Sequence, residues 1–236
     1  MITHTPAMPQ RHKRQHVPAH LWAEVPGTDF WLQPGGSYFA ASGVGNSLAD
    51  FGWTTTALAL VAAATGGADF ISSSDVGVPP HIVTDATGDL LQSPAVFGDY
   101  YHAYGASAFL GFVPTSLNVE VVAAFSVNSA NETTSGFGLV EAGGTPATAD
   151  DHMAYIFTDA SNFTLRSGAA SDAGAADDAA WHLWKIVVTS SNVEWFLDGT
   201  SQCTIALQAD LWPVSFAAHS LTTNRLLLGQ VHIWYG

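Results

Sequence analysis

Acid/base work on a glycosidic bond needs two carboxyl groups held on one face of a site. The strand carboxylates of this chain do not pair in that way. Glu120 stands alone on its expected strand, and Glu141 has no carboxylate two or four residues away. Glu194 lies four residues before Asp198, but Asp198 belongs to a turn. Counting Ser, His and Asp does not exclude a triad, yet no Gly-x-Ser-x-Gly elbow occurs. No phosphate loop, Cys-x-x-Cys or His-Glu-x-x-His is present either. No catalytic residue is assigned, and the chain is expected not to be an enzyme. Asp150-Asp151-His152 looks like a ligand cluster. Neighbouring side chains on an extended segment point to opposite faces, so a shared site there needs a bend.

The best candidate for ligand contact is Gly98-Asp99-Tyr100-Tyr101-His102-Ala103-Tyr104-Gly105. Sugars stack on aromatic faces and need polar groups for their hydroxyls. Tyr100, Tyr101, His102 and Tyr104 supply both. The alternative is sheet and core packing, since aromatic residues are good strand formers.

The elements that would position such groups are strands. Trp181 to Leu207 reads as three consecutive antiparallel strands. Trp181 to Thr189 is rich in β-branched and aromatic residues and holds one charge, Lys185. Ser190, Ser191 and Asn192 form a turn. Val193, Trp195 and Leu197 then fall on one face, with Glu194 and Phe196 on the other. Asp198-Gly199 closes the next turn, because Gly tolerates the positive φ of a tight hairpin. Cys203, Ile205 and Leu207 share a face of the third strand.

Trp181-His182, then Lys185-Ile186-Val187-Val188, then Val193-Glu194-Trp195-Phe196-Leu197-Asp198-Gly199 resembles the signature of concanavalin A-like jelly-roll domains. This is the laminin-G and lectin/glucanase group. The resemblance implies an all-β, two-sheet antiparallel β-sandwich and says little of function, since that fold hosts lectins, hydrolases, adhesion modules and virion proteins. Glucanases of the group share a Glu-x-Asp-x-x-Glu strand, and nothing like it occurs here. Many of its lectins bind Ca²⁺ through loop acids. Asp150, Asp151, Asp177 and Asp178 are the residues that could do so, with solvated loop acids as the better reading. No other cofactor is expected.

Further strands are expected along the chain. Phe30-Trp31 is the candidate for an early strand beside the last one. A buried strand is expected within 46–67. Stretches 68–88 and 168–180 are expected as loops. Ser116 to Val127, Gly136 to Glu141, His152 to Phe157, Phe163 to Ser167, Pro213 to His219 and Arg225 to Tyr235 complete the set. The organisation expected is an extended arm over residues 1–20 and a single sandwich domain over 21–236.

Charge is low and uneven. Charged residues make up 11% of the chain against 47% hydrophobic ones, so Ser, Thr, Asn, Gly and Ala must cover much of the surface. That suits a protein lying against neighbours. Arg11, Lys13 and Arg14 sit in the arm, which has no acid. From Leu21 onward 3 basic residues face 20 acidic ones, a net of −17. Such a body argues against nucleic acid as a partner. The arm has no apolar pattern able to fold alone. Its basic residues are expected to dock on acidic sister subunits or on another shell protein. Its His4, His12, His16 and His20 are too irregular for a metal site. The lone Cys203 excludes an intrachain disulfide and is expected as a small buried hydrophobe. No secretory signal or membrane span is apparent. The expected function is a structural or adhesive subunit of a virus particle, a tailed phage, made in the host cytoplasm and located in the virion. It would be a homo-oligomer in capsid decoration, head fibre, tail or baseplate. A lectin module binding cell-surface glycan is the alternative, and a glycoside hydrolase ranks below both.

Overall fold

The structure is a computed structural model. It describes residues 30–32, 53–56, 59–61, 81–84, 89–95, 115–125, 135–159, 161–208, 213–220 and 226–236. Fifteen strands occur among the described residues: β1 (Phe30–Leu32), β2 (Thr54–Thr56), β3 (Ala59–Val61), β4 (His81–Thr84), β5 (Asp89–Gln92), β6 (Leu117–Phe125), β7 (Gly136–Glu141), β8 (His152–Thr158), β9 (Asn162–Ser167), β10 (Ala170–Ala176), β11 (His182–Val188), β12 (Asn192–Leu197), β13 (Thr200–Ala206), β14 (Val214–Ser220) and β15 (Leu226–Tyr235). They form two antiparallel sheets packed as a sandwich. An eight-stranded sheet runs β13-β12-β11-β6-β15-β4-β3, with β1 also on β15. A seven-stranded sheet runs β10-β9-β8-β7-β14-β5-β2. No described residue belongs to a helix long and apolar enough to cross a membrane.

Alternation in sequence becomes the two faces of β6. On β6, Val119, Val121, Ala123 and Phe125 are buried in the core between the sheets, while Glu120 and Val122 point the other way. The meander β11-β12-β13 forms as its pattern predicts. Asp198 and Gly199 both take positive φ, 49° and 82°, in the two-residue turn between β12 and β13. The early strand β1 pairs with the last strand, as expected, with Trp31 opposite His232.

Trp184 is the centre of the core. Phe125 and Trp195 approach it from its own sheet at 5.4 and 5.6 Å between ring centroids. Phe137 and Phe163 approach from the opposite sheet at 5.6 and 4.7 Å. Its buried indole N–H donates to the Ala123 carbonyl at 3.0 Å, so the one polar atom of the ring is satisfied.

Three expectations differ from the structure. The single strand expected within 46–67 is two, β2 and β3, which pair into opposite sheets through β5 and β4. One strand can serve only one sheet, so the chain changes sheet between them. The expected loop 68–88 contains β4, four residues whose β-branched Ile82 and Val83 pair with β15. The expected loop 168–180 contains β10 at the edge of the seven-stranded sheet. Its Ala, Gly, Ser and Asp residues carry no apolar alternation. They suit the position because β10 lies on the Trp195 ring, where a Cβ added at Gly174 would come within 2.3 Å of the indole. Cys203 is half-buried at the same end and accepts the Trp195 indole N–H at 2.9 Å.

Candidate functional site

The register of the eight-stranded sheet lines up one row across its outer face. Phe196 on β12, Lys185 on β11, Glu120 on β6 and His232 on β15 are successive cross-strand partners. Cross-strand neighbours on one face lie close enough for their side chains to meet. The Glu120 carboxylate sits between two bases, with Lys185 Nζ at 3.9 Å from one oxygen and His232 Nδ1 at 4.0 Å from the other. These are loose, part-exposed pairs, worth about 0–1 kcal/mol each to stability. Trp234, two residues along β15, stacks on the His232 ring at 4.1 Å and 17°. Lys185 Nζ also lies 5.4 Å from the Trp234 ring centroid. Trp181 continues the aromatic surface beside the β15 bulge, its ring 3.2 Å from where a Cβ at Gly229 would stand. Leu183 on the same face is 45% exposed.

This array offers a partly exposed aromatic ring, a carboxylate acceptor and an ammonium donor side by side. None of the four residues of the row carries a hydroxyl or a thiol. Among the described residues the other strand acid on this face is Glu194, two strands and two residues along from Glu120, a backbone separation of roughly 12 Å. Glu194 accepts from the Ser201 hydroxyl at 2.6 Å. Glu141 belongs to the other sheet. The three strand acids singled out in the sequence therefore do not share a site.

The Asp150-Asp151-His152 run does bend, through a 3-10 turn over Ala149–Asp151. The bend separates the side chains instead of joining them. The Asp151 carboxylate accepts the Thr145 N–H at 2.8 Å. His152 is fully buried, donates from Nε2 to the Pro146 carbonyl at 2.9 Å and stacks on Tyr155 at 4.0 Å. A register shift between Leu139 and Val140 puts both rings on the outer face of the seven-stranded sheet. Burial pulls the His152 pKa down to about 4, and Arg166 and His219 push the same way. Asp178 accepts a hydrogen bond from His182 at 2.9 Å. Asp177, raised by burial and by Asp159, is its sequence neighbour. Among the described residues no three His, Cys, Asp or Glu side chains form a group that could hold a metal ion.

Tyr100, Tyr101, His102 and Tyr104 lie outside the described residues, as do Arg11, Lys13, Arg14 and the arm histidines. In the sequence Lys185 and Glu120 stand as isolated charges, and Trp234 is one residue of the closing strand. Their assembly depends on pairing strands more than a hundred residues apart, and no local pattern signals it.

No protein-family model matches the chain. No curated protein matches it either. Among solved structures, a conserved carbohydrate esterase from the Shiga toxin-encoding bacteriophage phi24B aligns with 84% of this chain and 96% of its own, at 14% identity and a TM-score of 0.49. Trypanosoma rangeli sialidase aligns with 66% of this chain at 11% identity and a TM-score of 0.46. The receptor-binding domain of botulinum neurotoxin mosaic serotype C/D aligns with 75% at 10% identity and a TM-score of 0.42. This chain spans 25% of the sialidase and 42% of the toxin domain. At such identities and TM-scores none of these likenesses bears on what the chain does.

Proposed function

We propose that this chain is a non-enzymatic adhesive subunit, a lectin-like jelly roll that holds glycan on the outer face of its eight-stranded sheet. The observation that carries the proposal is the Trp234–His232–Glu120–Lys185 array. A sugar ring has an apolar face, which an indole matches, and hydroxyls, which a carboxylate can accept from and an ammonium can donate to. The chain's net charge of −14 disfavours anionic glycans, so the ligand class we propose is neutral glycan. Glu120, flanked by bases and far from a second acid among the described residues, suits binding better than bond cleavage.

The test is binding of the intact chain to an array of neutral oligosaccharides, with cellohexaose and maltohexaose among the probes. The best binder is then titrated by calorimetry. Trp234→Ala should weaken binding at least tenfold, about 1.4 kcal/mol, with little change in melting temperature because the ring is only partly buried. Equal affinity of variant and wild type, or release of reducing ends during the titration, would contradict the proposal.

The same reading places the subunit in a virus particle, fixed there by residues 1–20. Its support is the segregation of Arg11, Lys13 and Arg14 from a body of net −17. Deleting residues 1–20 should leave a folded sandwich with unchanged glycan affinity that no longer enters its assembly. Docking of this kind should weaken with salt. Full incorporation of the truncated chain would remove the arm from the account.

A further inference from the structure

His182 and Asp198 are the Trp-His and Asp-Gly members of the meander pattern, and the fold brings them together. His182 Nδ1 lies 2.7 Å from Asp198 Oδ2 in the β12–β13 turn. His182 Nε2 lies 2.9 Å from Asp178 Oδ1, just before β11. A neutral imidazole carries one N–H and one lone pair. It can donate to one of these carboxylates only, and its lone pair then faces the other. Both contacts are attractive only when the ring is the imidazolium. The two acids are not equally held. Asp198 Oδ1 also accepts the Leu183 N–H at 2.9 Å, and the Asp198 N–H donates to the Leu183 carbonyl at 2.8 Å. Asp178 has, besides His182, the N–H of Ala180 at 2.9 Å.

We propose that His182 is a pH-set latch: its imidazolium ties the segment just before β11 to the β12–β13 turn, and loss of its proton releases Asp178 while Asp198 stays in place. The latch closes one end of the sandwich over the core, since the His182 ring packs edge-on against Trp184 and Phe163 at 5.7 and 6.4 Å. Among the described residues the charged groups facing His182 have one sign. The turn presents Asp198 and the β10–β11 segment presents Asp178, whereas β9 and β11 present the uncharged rings of Phe163 and Trp184. Asp177 and Asp159 interact with each other beside Asp178 and add negative charge.

Burial alone would lower the His182 pKa, but the hydrogen bonds to Asp198 and Asp178 outweigh it and hold the group above 6.5. Burial would raise Asp198, but its bonds to His182 and Leu183 hold it below 3.8. The His182 contribution is complete below 6.5 and is lost as pH rises through its raised value. The Asp198 contribution is complete above 3.8 and is lost as pH falls through its depressed value. The latch is closed between those two values and opens on the alkaline side by release of Asp178.

The experiment is an NMR titration of the whole chain, following the His182 ring and the Ala180 amide. The inference expects the His182 ring to titrate above 6.5, the Ala180 amide to move with the same midpoint, and the Leu183 amide to stay still. In Asp178→Asn the His182 midpoint should fall and the Ala180 amide should cease to follow it. A His182 midpoint at or below 6.5 overturns the latch. So does an Ala180 amide that ignores the His182 titration in the wild-type chain. Neither readout requires a glycan, so the outcome is independent of the adhesive reading.

Discussion

Trp184→Ala should destabilise the sandwich by about 3–5 kcal/mol, the range for emptying a large aromatic site in a core. For a domain of this size that is a fall in melting temperature of roughly 6–20 °C. The indole is fully buried and touches five aromatic rings, those of Phe125, Trp195 and His182 from its own sheet and those of Phe137 and Phe163 from the other. Its removal leaves a void that rings fixed on different strands cannot close together. It also takes the indole donor from the Ala123 carbonyl. Trp184→Phe should cost distinctly less, because most of the ring contact survives. Urea unfolding followed by far-ultraviolet circular dichroism separates these cases. A Trp184→Ala chain within about 1 kcal/mol of wild type would mean that this ring does not join the two sheets.

Acid should remove about 3 kcal/mol of stability through His152 alone. Its pKa is 6.5 in a model peptide and about 4 in the fold. The unfolded chain therefore binds the proton more tightly than the folded one. For a group depressed in this way, stability is complete above 6.5 and falls as pH drops toward 4. A shift of that size corresponds to roughly 3 kcal/mol. The physical cause is that protonation would place a charge in the apolar outer layer of the seven-stranded sheet, against Tyr155, with Arg166 nearby. Among the described residues the His152 Nδ1 atom has no hydrogen-bond partner to share that charge. His152→Phe should keep the stack on Tyr155, start from a lower stability because the Pro146 carbonyl loses its donor, and lose the acid slope between pH 7 and 4. Parallel stability curves for the two chains would show that His152 is not the titrating group.

What was legible from sequence follows from local physics. β6 and the meander were legible because apolar and polar residues alternate along them, as burial of one face requires. β7, β8 and β14 were legible as short apolar, strand-forming runs, and both of their faces are buried. β10 was not legible. An edge strand bearing Ala, Gly and Ser reads as a loop until the Trp195 ring beneath it explains the small side chains. β4 was hidden by its length of four residues beside a Pro-Pro pair. The site was less legible than the fold. Lys185, Glu120 and His232 occupy three strands, and only the register of the sheet makes them one row. The partnership of His182 with Asp198 was hidden in the same way: both residues stood out, but as two parts of a fold signature. Their contact is tertiary.

The central claim is that glycan sits on Trp234. In a ¹⁵N-labelled chain, each of the eight tryptophans gives its own indole N–H signal, and Trp234→Phe identifies the one for Trp234 by its loss. Titrating the wild-type chain with the best-binding neutral oligosaccharide should move the Trp234 indole signal. The buried Trp184 and Trp195 signals should stay fixed, and the oligosaccharide should be recovered intact. A saturable shift that leaves the Trp234 signal in place, or cleavage of the sugar during the titration, would contradict the account.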